Sequence, residues 1–338
     1  MITILLAILI FGLLITVHEL GHFIVAKLTG IRVEEFSIGM GPVLVGKKWG
    51  ETYYSLRAFP IGGFNKMSGM EPGEEADPRG FNRKSVSQRM AVISAGSVMN
   101  FLLAIVLFII IFNVIGIPAN TNVIGDVVEG MPAAKAGLKP GDKITAVNGQ
   151  KTDTWVKLTE IIHKNAGKEI ILSVKRDREN FTVPVTPVKD VESGVGLIGI
   201  KYSIKRFGFF HSVWLGITKA VGVLKLIIIS LVQMIAGQAK AEVAGPVGIV
   251  RMIGQVATYG VSSILSFAAV LSLNLGLINL LPIPALDGSR LMFLGIEGIR
   301  GKQIDVEKEN MVHLIGFALL LTLLIVITYH DILRIFSK

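Results

Sequence analysis

The chain of 338 residues contains no cysteine. Disulfides are therefore excluded, and so are metal sites built on thiolates. Charge is sparse as well: only 17% of residues are Asp, Glu, Lys or Arg, while 51% are hydrophobic. Mean hydropathy is +0.62, which is high for a soluble domain of this length. Acidic residues are the scarcer sign, 25 against 34 Lys and Arg, for a net charge of +9. No basic helix or aromatic-interleaved basic patch accompanies that excess, so nucleic acid is not an expected partner. Cytoplasmic loops of a membrane protein carry such a bias instead. The N-terminal MITILLAILIFGLLITV has neither the positive segment nor the small-x-small site of a signal peptide, and it reads as a retained membrane helix.

What the sequence does have is long apolar runs. Four of them are near the roughly 20 residues needed to cross a hydrocarbon core. They predict a polytopic α-helical membrane protein with four transmembrane helices, over 1–29, 89–116, 259–286 and 311–338. Residues 30–88 alternate and are punctuated by glycine, which predicts a membrane-associated β-hairpin loop with a polar loop over 70–80. Residues 117–205 read as one inserted α+β domain: strand, short helix, strand, helix and two further strands. Its turn chemistry lies at Pro140-Gly141-Asp142 and Asn148-Gly149. Residues 206–258 contain an apolar run interrupted by Lys219 and Lys225, and residues 287–310 read as a cytoplasmic loop.

The first apolar run ends in TVHELGHFIVAK, residues 16–27. Ionisable groups inside a membrane helix are costly and mark function. His18 and His22 are four apart, so their Cβ atoms lie about 5–6 Å from each other on one helix face. Two imidazoles so placed can grip one Zn²⁺. Glu19 points toward the open side of such a metal, where a carboxylate can take a proton from water. In a soluble helix the same pentad is often just an exposed polar face. In an apolar helix the uncompensated cost argues against that reading.

A catalytic zinc wants a third protein ligand. His163, His211, His313 and His330 lie in the inserted domain, in a linker or near the ends of the last run, and structural roles suffice for them. Asp287 is the better candidate. It follows the apolar NLGLINLL, after Pro282 and Pro284, which break the helix and make irregular backbone tolerated at membrane depth only around a buried or wet site. On its residues alone, Asp287-Gly288 reads equally well as an ordinary turn, with Gly288 allowing the chain to bend sharply.

HELGH paired with NLLPIPALDG resembles the site-2 protease family of intramembrane zinc metalloproteases, most of all its bacterial PDZ-containing branch of the regulator of sigma-E protease type. FSIGMGP (36–42) is similar to that family's membrane-embedded β-hairpin, and GLKPGDKITAVNG (137–149) to its PDZ domains. The resemblance implies His18, His22 and Asp287 as zinc ligands and Glu19 as general base. It implies substrate-positioning roles for Asn279, Gly39 and Gly41, although an interhelical hydrogen bond explains Asn279 as well. Asn100 and Asn274 read as packing residues first. Two departures stand out: Ser289 where the family often has a second glycine, and Gly96-Ser97 where it often has Gly-Pro.

The resemblance further implies hydrolysis of peptide bonds within or next to transmembrane segments, as in regulated intramembrane proteolysis of anti-sigma factors or removal of remnant signal peptides. The expected partners are single-span membrane proteins, the lipid bilayer, and a peptide or ectodomain at the PDZ-like domain. Capture of substrate by strand addition is expected near Phe36–Val45, and the PDZ groove beside 154–165, with 194–200 as a carboxylate-holding loop or a plain closing strand. For HELGH and LDG to meet, their two helices must run in the same direction. Residues 206–258 are then an amphipathic membrane-surface or re-entrant segment rather than a full span. Basic residues of 30–88 and 287–310 put the site toward the cytoplasm and the PDZ-like domain outside, in a cell (plasma or inner) membrane. A membrane scaffold with structural zinc, and a zinc protease of soluble chains, are the rival readings.

Overall fold

A computed structural model describes residues 2–70, 77–191, 193–239 and 244–336. Residues 71–76 of the expected polar loop thus lie outside the described residues. The chain divides into two units, Met1–Ile111 with Phe209–Lys338, and Phe112–Gly208.

Helix α1 (Ile2–Leu28) buries Ala7, Ile10, Leu14, His18, Gly21 and His22, a stripe at the three- and four-residue spacing of one helix face. The histidines therefore turn inward with the small residues. A Cβ on Gly21 would strike Ala95 and Met99, so glycine is what lets α1 lie so close to α2 (Val86–Ile110). Ser85 starts α2 with a capping box closed by Gln88.

Strands β1 (Val33–Trp49) and β2 (Thr52–Met67) pair as an antiparallel hairpin that folds over on itself into a ribbon. Glu35–Ile38 pairs on both edges. On one side lies Gly63–Lys66, antiparallel; on the other lies Tyr53–Leu56, whose residue numbers rise together with those of 35–38. The far half of β1, Val43–Trp49, pairs back with Thr52–Arg57. Gly39 and Gly41, both at φ 87°, make the reversal that lets β1 fold back, in a region side chains avoid. Arg57 holds the fold by donating to Glu35 at 2.6 Å and to the Gly41 carbonyl at 2.9 Å. The reversal and far half expose Met40, Val43, Leu44, Val45 and Trp49, an apolar surface unlike that of a soluble loop.

The second unit contains β3 (Ile117–Pro118), β4 (Ile124–Val127), α3 (Pro132–Lys135), β5 (Lys143–Val147) and β6 (Gln150–Lys151). It continues through α4 (Trp155–Lys164), β7 (Ile170–Arg176), β8 (Glu179–Val185), β9 (Val188–Lys189), β10 (Gly196–Leu197), β11 (Ile200–Tyr202) and β12 (Ile204–Lys205). Its main sheet has the order β6-β5-β7-β8. Alternate residues Ile170, Leu172 and Val174 face a core completed by Leu158 and Ile162 of α4. Asn148 and Gly149, at φ 50° and 79°, form the tight turn from β5 to β6.

The first unit resumes with α5 (Phe209–Ile235), α6 (Pro246–Ala257), α7 (Val261–Asn279), α8 (Asp287–Arg300) and α9 (Val306–Phe336). The stretch 206–258 is thus two helices, and 287–310 is mostly helix rather than loop. Helix α8 is fastened by Glu297, which accepts from both terminal nitrogens of the buried Arg89 on α2. Among the described residues, five helices are long and apolar enough to cross a membrane: Ile2–Leu28, Val86–Ile115, Phe209–Ile235, Val261–Asn279 and Glu307–Arg334. This is a multi-helix membrane chain carrying an inserted α+β domain.

Candidate metal centre

Helix α1 presents His18 and His22 side by side, and the start of α8 brings Asp287 to them. His18 Nε2 and His22 Nε2 are 3.2 Å apart. Asp287 Oδ2 is 3.2 Å from the first and 3.3 Å from the second. For bonds of 2.0–2.1 Å, the edges of a tetrahedron are about 3.3–3.4 Å. The three donors are therefore spaced as three corners around one ion. Asp287 Oδ2 is buried and has no hydrogen-bond partner, a cost that a cation removes. Imidazole and carboxylate are also the donor types that zinc accepts.

Surrounding groups hold the imidazoles. His22 Nδ1 lies 2.8 Å from the Val92 carbonyl. It must donate there, which leaves Nε2 unprotonated and free to ligate. The Asn100 amide lies 3.3 Å from His18 Nδ1. The amide atom facing that nitrogen is Nδ2; a His18 that ligates through Nε2 carries its proton on Nδ1, and the amide then turns to present its oxygen. Asn100 is itself tied to α7, since its carbonyl accepts from Ser272 Oγ at 2.7 Å. Any Cβ at Gly96 would press into both rings, coming 2.6 Å from His18 Cε1. Glycine there makes the cradle for the pair.

Asp287 reaches the site by an irregular path. The chain leaves α7 at Asn279, passes Pro282 and Pro284, and turns left-handed at Ala285, φ 74°. Such a conformation in a non-glycine residue costs on the order of 1–3 kcal/mol and is typical of functional sites. Gly288 is not the sharp turn expected of it. It lies within α8, and a Cβ there would collide with the Leu280 and Leu281 carbonyls. The role is close backbone approach, which clamps Asp287 against the end of α7.

Glu19 and Asp287 line one cleft of about 610 Å³ with Phe64, Ala285, Arg290, His313 and Phe317. Asn279 reaches the centre, its Nδ2 3.5 Å from His18 Nε2. Gly39 and Gly41 are not among the described residues that line the cleft; both lie at the β1 reversal. Three residues lay outside the sequence reading of the site. The sequence reads Asn100 as packing first and function second. His313 lines the cleft, with Nε2 3.5 Å from Ser289 Oγ and 3.7 Å from Glu309 Oε1; its spacing of four from Glu309 was the available signal. Asn65, which donates to Glu19, gave none, because its partner is 46 residues away.

The profile of peptidase family M50 matches residues 6–323. A Clostridium acetobutylicum protein, whose name proposes a zinc metalloprotease, is 41% identical over 331 residues, covering 97% of each chain. The regulator of sigma-W protease RasP of Bacillus subtilis is 36% identical over 418 residues, covering 99% of each. Among solved structures, the PDZ domain of an SdrC-like protein from Listeria innocua is similar at 25% identity. It covers 25% of this chain and 93% of that one, with a TM-score of 0.23. With the profile spanning most of its length, this chain belongs to peptidase family M50.

Proposed function

We propose that the chain is an intramembrane zinc metalloendopeptidase that hydrolyses peptide bonds in or beside the transmembrane segments of other membrane proteins. The observation that carries this reading is the meeting of Asp287 with the imidazoles of α1 at tetrahedral spacing. His18, His22 and Asp287 would hold the ion. Zinc, when bound, supplies a Lewis acid that polarises a carbonyl and lets water lose a proton near neutral pH. Glu19, on the same cleft as Asp287, is the base that accepts a proton from water and returns it to the leaving amine. Asn279 and Asn100 orient groups around His18.

A transmembrane helix hides its amides, so substrate must be unwound and held extended. Within Phe36–Val45, the Phe36–Ile38 part already has partners on both edges, while Val43–Val45 pairs on one edge only. Gly62–Met67 of β2 lies against α1 at Glu19. Among the described residues no strand pairs its other edge, which suits strand addition beside the base. The inserted domain, read as PDZ-like, filters what approaches, with its groove between α4 and β11.

Four full spans fit this arrangement although five helices are long enough. Gly254 on α6 sits against Thr3, at the end of α1 remote from the histidines, and the Gly248 N–H donates to Asp331 near the end of α9. Helix α6 therefore lies at the side opposite the metal centre. Helix α5 begins beside Ile105 and Ile109 near the end of α2, also on that side. If α5 crossed, the ten residues between it and α6 would have to return. As a helix they reach about 15 Å, and extended they would carry unpaired backbone through about 30 Å of lipid. Helix α5 is then a surface or re-entrant element. The basic residues of 30–88 and 287–310 favour a site toward the cytoplasm, with the inserted domain outside.

The test is co-expression with candidate single-span proteins, wild type against Glu19→Gln. The wild type is expected to cut within or next to the membrane segment, mapped by mass spectrometry. Glu19→Gln should lose about 10²–10⁴-fold in rate, the usual worth of a general base. Cuts confined to soluble loops, or a Glu19→Gln protein with full activity, would overturn the reading.

A further inference from the structure

The second half of β2 comes unusually close to α1. A Cβ on Gly63 would stand 3.0 Å from Glu19 Cγ and 2.9 Å from the Ser37 carbonyl. Two residues along, and so on the same face of the strand, Asn65 projects its amide onto Glu19. Its Nδ2 lies 2.7 Å from Glu19 Oε2 and 2.8 Å from the Glu19 carbonyl oxygen. Both partners only accept, which fixes the amide: the nitrogen faces Glu19 and Oδ1 faces away. Oδ1 is buried and has no hydrogen-bond partner. As a stability element Asn65 is therefore a poor choice. It is a weak strand former and it leaves an acceptor unpaired.

We propose that Asn65 is a positioning residue for the hydrolytic reaction, one that holds the Glu19 carboxylate in its working rotamer by bridging it to the backbone of its own helix. The double contact explains why one side chain suffices. A carboxylate oxygen three torsions from the helix swings freely, whereas an amide anchored on the Glu19 carbonyl gives it a fixed seat. It also explains why the strand must approach α1 so closely at Gly63. The inference rests on the proposed role of Glu19 as base.

The test uses the full-length zinc-loaded protein, purified in detergent, with Asn65→Val, Glu19→Gln and the double variant. The probes are a single-span reporter fusion for turnover and a peptide hydroxamate for binding, since a hydroxamate shares its hydroxyl proton with the base. Asn65→Val should lower kcat about 10- to 100-fold, the usual loss when a supporting partner of an active-site group is removed. KM should stay within about twofold, zinc content should be unchanged, and Tm should be equal or higher because the unpaired oxygen is gone. Hydroxamate affinity should fall in each single variant, and the Asn65 change should add nothing once Glu19 is Gln. Unchanged kcat, a loss of kcat that tracks a lowered Tm, or additive effects on hydroxamate affinity would each overturn the proposal. If the Val protein does not fold, Asn65→Ala is read by the same criteria. Failure of the enzyme reading looks different: the wild type itself leaves the reporter uncut, while the binding cycle still reports on the Asn65–Glu19 coupling.

Discussion

At the scale of single residues, the centre depends on small side chains as much as on ligands. Gly96 gives the two imidazoles their room, so Gly96→Val is expected to displace both rings. Bound zinc, measured by mass spectrometry of the intact protein or by atomic absorption, should fall at least about tenfold, the scale of losses when ligand support is disturbed. Far-UV circular dichroism should remain that of the wild type, because valine is tolerated in a membrane helix. Ser289 belongs to the same account. Where the family often has glycine, this chain carries a buried hydroxyl that donates to the Leu286 carbonyl at 2.8 Å and lies beside His313. The departure changes the wall of the cleft and leaves the three presumed ligands where they are.

At the scale of elements, the inserted domain carries its own core and its own electrostatic clamp. Asp142 is buried between β4 and β5, where Arg176 donates to it at 2.7 and 2.8 Å and the Lys139 amide at 2.8 Å. Burial alone would push this carboxyl up. The Arg176 guanidinium and the Lys139 N–H outweigh it and hold Asp142 below the ordinary carboxylate range. A carboxyl depressed in the folded state stabilises that state above its unfolded pKa of about 3.9, and the benefit fades as pH falls through the folded value. Asp142→Asn should therefore unfold at a lower temperature than the wild type at pH 7. The gap in Tm should stay constant down to about pH 5 and narrow below it. A gap that widens on acidification would contradict the assignment. The Arg89–Glu297 pair acts on a different element: it fastens α8, and with it the presumed third ligand, to the start of α2.

At the scale of the whole molecule, the reading turns on direction. Helices α1 and α7 both end at the metal centre, and α6 lies at the remote end of α1. A cysteine introduced at residue 150 into this cysteine-free chain should react with a membrane-impermeant maleimide added to intact cells. One introduced at residue 302 should react only after lysis. Labelling of residue 150 only after lysis would reverse the proposed orientation.

Much of this was legible from the chain alone. Membrane helices follow from runs of apolar residues, because lipid leaves backbone groups no partner outside the helix. The histidine pair follows from helix periodicity, and the order of elements in the inserted domain from alternation and turn residues. Those are local properties, fixed by neighbours a few positions away. What only the tertiary structure decided are encounters between distant segments: Asp287 reaching His18 as three corners of a tetrahedron, Gly96 making the cradle, Asn65 seating Glu19 from a folded-back strand, and 287–300 forming a helix where a loop was expected. The sequence does not encode such meetings in any short window. They arise because packing brings α1, α2, α7 and α8 together at glycine-width separations, and a shift of even one ångström there would undo the site.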